Sequence, residues 1–240
     1  MFQFLLSFTF LSIASAFDLK NREVPNRIWL IFLPISIGTT AFNFLLHPNL
    51  ILLSLISITI TSTIAITIFY LGLYGGADAK ALITLCVSHP ISTSLLLPFP
   101  FLPITTFNNS LVLMILTLPF ALIKNIHWKI TRNRSLFLGL ENEPIWKKMG
   151  ALIFCVKTDR LNIRPYQIIA ERSITINGES ARSLNIFQKI PEEDTTIDET
   201  FPEEVFTVFS LPMLPFLTIA YILSITVGDV IFNLITILLS

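Results

Sequence analysis

Three features of the 240-residue sequence predict an all-α polytopic membrane protein, with six transmembrane helices and a small cytoplasmic, β-containing insertion between the fifth and the sixth. Hydrophobic residues make up 53% of the chain, charged residues only 13%, and the mean hydropathy is +0.73. That is too apolar for a soluble domain, and the chain is too long for a single anchor. Apolar runs alternate with short polar breaks over most of its length. All 16 Lys and Arg residues fall within residues 18–27, 75–80 and 124–209, the segments that six spans leave inside when the amino terminus is outside. The predicted organisation is residues 1–123 as helices one to five, 124–209 as a cytoplasmic soluble segment, and 210–240 as the sixth helix, in the cell membrane.

Taken in order, residues 2–17 are a 16-residue apolar run, close to the lower limit of roughly 17 for a spanning helix. Ala14-Ser15-Ala16 looks like the end of a secretory signal, but no basic region precedes the run, so it is expected to be retained. Residues 18–27 form a polar turn with Pro25 near its end and Asn26 as a candidate N-cap for a second span, Ile28 to Leu46. His47-Pro48-Asn49 is a short break that makes the second and third spans an antiparallel hairpin. The third span, Leu50 to Leu73, leads into Gly-Gly-Ala-Asp. A fourth is expected from Ala79 to about Leu97, with His89-Pro90 as a kink or early end. Residues 98–109 read as an apolar loop, and Ser110 to Ile123 as a fifth span interrupted by Pro119.

The soluble segment begins basic and ends acidic, from Glu192-Glu193-Asp194 to Glu203-Glu204. Its Gly150 to Val156 and Gln167 to Ile176 stretches have strand-like composition and predict a small antiparallel sheet. Lys124, Lys129, Arg132 and Arg134 read as a topogenic and lipid-headgroup patch, not a nucleic-acid site. Cys86 and Cys155 lie in different segments without Cys-x-x-Cys spacing and read as structural thiols. His47, His89 and His127 are scattered, so neither a metal nor a cofactor is expected. Asn108-Asn109-Ser110 fits a glycosylation pattern by chance or by use, and Trp29 and Tyr74 fit interfacial aromatic anchors.

Asp18, Asp78 and Asp229 are the acidic residues beside apolar spans. An aspartate there costs about 2.5–3.5 kcal/mol on insertion scales, so it calls for a reason. Asp18 ends the first span and Asp78 begins the fourth on the same, inner side, whereas Asp229 falls near the opposite face as a helix break or interfacial residue. Two carboxylates brought together in a partly dry site do not both ionise easily. The charged one can deprotonate a water that attacks a carbonyl while the neutral one polarises that carbonyl. Gly75 and Gly76 leave room for a substrate backbone next to Asp78. The plainer assignments are a helix N-cap for Asp78 and a helix-terminal loop residue for Asp18. The lysines of Asp18-Leu19-Lys20 and Asp78-Ala79-Lys80 do not face their aspartates on a helix and read as interfacial anchors.

Asp18 followed by Val24-Pro25-Asn26, and then Gly75-Gly76-Ala77-Asp78-Ala79-Lys80, resembles the type IV prepilin peptidases, especially the archaeal preflagellin and prepilin peptidases. The resemblance extends over essentially the whole chain, late soluble segment included. It implies membrane aspartic proteolysis of the Gly-x-Gly-Asp type, with Asp18 and Asp78 as catalytic pair and Pro25, Asn26, Gly75, Gly76, Ala77 and Lys80 as motif support. Ala77 replaces the third motif glycine, which keeps room but restricts positive φ. The bacterial relatives carry an additional amino-terminal portion with a cysteine cluster and methylate the new terminus. This sequence has no such cluster, and the expectation is cleavage without methylation.

The resemblance further implies pilin-like or archaellin precursors as partners, cut where a short basic leader meets an apolar helix, with membrane lipids around and no nucleic acid. Aspartates at the cytoplasmic rim fit that juxtamembrane bond. The acidic stretch Glu192 to Glu204 is either an attractor for the leader or a solvated linker. Two other readings of the same aspartates are an intramembrane protease of the presenilin and signal-peptide-peptidase kind and a proton-coupled transporter. The latter would more naturally carry internal repeats and midplane polar residues.

Overall fold

The apolar runs become helices whose ends are set by local chemistry. The computed structural model describes residues 2–92, 100–163, 167–176, 179–185, 203–209 and 212–239. Its helices are α1 (Phe2–Asn21), α2 (Asn26–Leu46), α3 (Ile51–Tyr70), α4 (Gly76–Ser88), α5 (Leu102–Ile115), α6 (Leu118–Arg132), α7 (Ile145–Phe154), α8 (Met213–Thr226) and α9 (Val230–Leu239). The strands are β1 (Cys155–Asp159), β2 (Gln167–Ile169), β3 (Glu171–Ile176), β4 (Glu179–Leu184) and β5 (Glu204–Phe209). The chain divides into two units, Met1–Ile115 with Pro212–Ser240, and Leu116–Leu211.

In the first unit α4 is the central helix. Ala79, Ala81, Leu82, Thr84, Leu85, Cys86 and Ser88 are all buried, because α2 and α3 both pack against it. Phe10 and Leu11 of α1, Trp29 of α2, Leu102 of α5 and Leu214, Leu217 and Tyr221 of α8 complete one core with Leu82 and Leu85. Outward, the apolar side chains stay exposed, Leu30 at 73% and Leu52 at 72%. Apolar residues all around a helix with little burial inside the protein are what a lipid-facing surface requires.

Four helical stretches are long and apolar enough to cross a membrane: Phe2–Asn21, Asn26–Leu46, Pro48–Tyr70 and Leu102–Arg132. The α8–α9 pair, bent by 50°, makes a fifth if it is one broken span. The chain is therefore a multi-pass membrane protein with four to five span candidates, against the six expected. The difference lies in the fourth. α4 has 13 residues, which at about 1.5 Å each is short of the roughly 30 Å hydrocarbon core. It ends at Ser88 because Pro90 follows, and hydroxyls from its neighbours take up carbonyls near its end. Thr40 of α2 donates to the Val87 carbonyl and Ser57 of α3 to the Pro90 carbonyl, each at 2.6 Å. The expected continuation to Leu97 runs into residues 93–99, outside the described residues.

Two prolines lie in the first turns of helices. Part of the stretch expected to be a loop, residues 98–109, is helical from Leu102, with Pro103 in the first turn of α5. Pro119 likewise lies in the first turn of α6, where a missing N–H leaves no intrahelical bond unmade. The fifth apolar segment is accordingly divided at Leu116–Thr117, and the basic residues Lys124 to Arg132 are helical.

α8 and α9 are joined by a built corner. Asp229 Oδ1 accepts the N–H groups of Ile231 and Phe232 at 3.0 and 3.1 Å, an N-cap for α9, while Oδ2 accepts Asn108 of α5 at 3.1 Å. Asn109 donates to the Gly228 carbonyl and to Ser224, both at 2.9 Å. The Asn108-Asn109-Ser110 motif thus sits within a helix as part of this corner, not in the outside loop that glycosylation would use.

The second unit has two antiparallel sheets, one ordered β1-β5-β2 and the other β3-β4. Gly150 to Val156, expected as a strand, is helical to Phe154 because α7 starts after Pro144 and buries Ala151 in the core of this unit; only Cys155 onward is extended. Gln167 to Ile176 is divided at Ala170 between the two sheets. Asn125 pins α6 to β1: its amide donates to the Cys155 carbonyl at 2.7 Å, and its Oδ1 accepts the Lys157 N–H at 2.9 Å. Residues 192–202 of the acidic stretch lie outside the described residues.

Candidate active site

Asp18 is on a helix, not in the loop after it. α1 runs a turn past its apolar residues and stops where Arg22 takes a left-handed conformation, φ 59°, with its N–H donating to the Asp18 carbonyl at 3.1 Å. Two hydroxyl contacts hold this helix against α8: Ser15 meets Thr218 at 2.6 Å, and Thr218 reaches the Leu11 carbonyl at 3.2 Å. That packing brings the backbone N–H of Leu214, at the start of α8, to the Asp18 carboxylate. The free N–H groups and dipole at a helix start favour a negative group there. Oδ2 of the same carboxylate is buried and makes no hydrogen bond within the described residues.

Asp78 is the third residue of α4. Its Oδ2 accepts the Gly75 N–H at 3.2 Å, half of a capping box whose other half a glycine cannot supply. The expected N-cap role is therefore present in modified form, with Asp78 capping from inside the first turn. The preceding turn needs a glycine at Gly72, where φ is 70°. Gly75 and Gly76 have no such φ; at Gly75 the demand is for space, since a Cβ would lie 3.3 Å from Asp78 Oδ2. Ala77 is helical, the backbone alanine favours most, so the missing motif glycine brings no strain.

The two carboxylates lie within electrostatic range of each other, with Arg22 the cation acting on Asp18. Asp18, near the end of α1 beside the start of α8, and Asp78, in the first turn of α4, thus both belong to the helical unit, with the charge of Asp18 acting on Asp78. Each has one N–H partner and spare acceptor capacity.

Other motif residues gather nearby. Pro25, not Asn26, is the N-cap of α2; Asn26 is freed for a different contact. Lys80 Nζ donates to Asn26 Oδ1 at 2.7 Å, joining the two motifs across 54 residues of sequence. Tyr74, expected as an interfacial anchor, is half-buried, with its ring edge-on to Phe107 at 6.0 Å. Burial, and then the charge of Asp78, push the Tyr74 phenol up to about 12, so it stays a neutral donor at ordinary pH. Sequence reasoning missed both features. Tyr74 had one signal, its place directly before the Gly-Gly turn, whereas nothing local announces the Asn26–Lys80 contact.

Asp229 is not part of this group; its acceptors are used in capping α9. Cys86 and Cys155 are buried free thiols. Among the described residues, no three of His, Cys, Asp and Glu gather as a metal site would require. No curated protein matches the chain. The model of the type IV leader peptidase family matches residues 5–118, a stretch that contains Asp18, Asn26, Asp78 and Lys80. Over those residues the chain is similar to the type IV leader peptidase family.

Proposed function

We propose that this protein is a membrane aspartic endopeptidase that removes the short basic leader from type IV pilin-like or archaellin precursors, with Asp18 and Asp78 as its catalytic pair. What supports the proposal is that Asp78, in the first turn of α4, and Asp18, near the end of α1 beside the start of α8, each take one backbone N–H and keep unused acceptor capacity, with the charge of Asp18 acting on Asp78. One carboxylate takes a proton from water, and the water oxygen attacks the scissile carbonyl. The other, protonated, donates to the carbonyl oxygen, and the leaving nitrogen is protonated as the bond breaks. No covalent intermediate with the enzyme is needed. Tyr74 stays a neutral phenol within the electrostatic reach of Asp78, and the Asn26–Lys80 contact holds the two motif segments together.

The clustering of Lys and Arg in residues 18–27, 75–80 and 124–209 supports a site facing the cytoplasm of the cell membrane. Asp18 near the end of α1 and Asp78 in the first turn of α4 then meet the bond between a polar leader and an apolar helix. The reaction assigned to these residues is hydrolysis without methyl transfer. The test is cleavage of a panel of pilin-like precursors in membranes carrying the wild type, Asp18→Asn or Asp78→Asn at equal protein levels. Wild type is expected to cut beside the leader glycine and both variants to lose at least about 10²-fold in rate. A variant that still cuts at the wild-type rate overturns the assignment.

A further inference from the structure

Exposed apolar side chains of the strand-containing unit gather on two helix faces. On α7, Ile145, Trp146, Met149 and Ile153 are exposed, Ile145 at 76%, and their spacing puts them on one face. On α6, Leu122, Ile123, Ile126 and Ile130 repeat the same spacing and are exposed too. Other faces of these helices make the core of the unit: Ala151 of α7 is buried, Leu152 packs against the same cluster, and Asn125 of α6 donates to the Leu152 carbonyl at 3.2 Å. The two lysines of α7 are engaged within the protein. Lys147 pairs with Glu143 at 2.9 Å, and Lys148 donates to the Glu141 carbonyl at 2.7 Å. α7 thus uses its polar side chains for internal bonds and presents its apolar ones outward, the reverse of a helix built to face water.

An apolar face of this kind calls for a covering surface, and the course of the chain indicates which one. α6 is the later part of the 31-residue Leu102–Arg132 stretch, long and apolar enough to cross a membrane. A crossing takes roughly 20 residues, so the surplus at the basic end, with Lys129 and Arg132, belongs to the membrane interface. α7 packs on α6 within the same unit, and Trp146 is a side chain that favours the interfacial level. With Lys147 and Lys148 bonded internally, what α7 offers a membrane is apolar area, not charge. We propose that α7 lies along the bilayer interface, with Ile145, Trp146, Met149 and Ile153 inserted among the lipid chains.

The test uses the full chain reconstituted in phosphatidylcholine vesicles, with Trp29→Phe and Trp128→Phe so that Trp146 is the remaining tryptophan. An interfacial helix buries its apolar face about 5–10 Å into the headgroup and acyl boundary, so lipid brominated near the glycerol end of its chains should quench Trp146 emission at least about twofold. Iodide in the water should quench it little. The bromolipid quenching should persist at high sodium chloride, because apolar burial and not charge carries the contact. Ile145→Glu combined with Met149→Glu should remove most of it. Quenching by iodide and not by bromolipid overturns the proposal and leaves the face in water. Protection from both quenchers also overturns it, and assigns the face to a second copy of the chain. Should the tryptophan substitutions prevent folding, a nitroxide on Met149→Cys in the otherwise wild-type chain replaces them: relaxation by oxygen above that by a water-soluble nickel chelate supports the proposal, and the reverse overturns it.

Discussion

Buried carboxylates are treated in opposite ways in the two units. In the strand-containing unit, the Glu171 side chain is fully buried and saturated: it accepts the Phe206 N–H at 2.6 Å, Lys157 at 3.5 Å, and the Arg182 guanidinium through Nε and Nη2. In the helical unit Asp18 and Asp78 each have one backbone N–H, and they face each other's charge. Glu171 holds β1, β3, β4 and β5 together and has no acceptor to spare for a substrate. Asp18 and Asp78 are held by their helices, not by their own bonds, and keep unused acceptor capacity, which the proposed reaction would use. Asp229, in the helical unit but saturated as a cap, shows that the contrast follows bonding and not membrane position.

Glu171→Ala should produce the largest stability effect. Removing one partner of a buried charge cluster strands Lys157 and Arg182, and roughly 3–5 kcal/mol is the usual consequence. Limited proteolysis of the full chain should show residues 116–211 opening at a lower temperature. Asp229→Ala, which removes a helix cap, should cost about 1–2 kcal/mol in thermal unfolding and leave cleavage of precursor unaffected per folded molecule. If Asp229→Ala abolished cleavage in folded protein, saturation would be a poor guide to role.

Smaller effects test the surroundings of the pair. Gly75→Ala places a Cβ 3.3 Å from Asp78 Oδ2, so a shift of the carboxylate should lower the cleavage rate by about tenfold with little change in stability. Asn26→Ala should lower it several-fold, and Asn26→Asp should retain more activity because Lys80 keeps a partner. Tyr74→Phe should reduce the rate by a few-fold. Because the phenol sits at about 12, the shape of the rate profile below pH 9 should not change; a limb lost from that profile would mean that Tyr74 itself titrates in the reaction.

The elements legible in the sequence were those that local composition determines. Apolar runs bounded by polar turns marked α1, α2 and α3, and Gly228-Asp229 marked the α8–α9 corner. Proline was harder, because its effect depends on position: Pro90 ends α4, whereas Pro103 and Pro119 sit in first turns that tolerate them. The proposed pairing of Asp18 with Asp78 has only topology behind it in the sequence, as a shared side of the membrane. The Asn26–Lys80 bond and the burial of Tyr74 are tertiary and leave no periodic trace. Ala77 meets no demand for positive φ, because that demand falls at Gly72 and the helix has begun by Gly76.

The most direct test of the pairing is the cleavage rate of Asp18→Asn, Asp78→Asn and the double variant, measured on one precursor with inserted protein quantified. Groups that act as a unit are non-additive, so the double variant should be no slower than either single one. If the two losses multiply, the aspartates act independently, and the shared-proton account of this site is wrong.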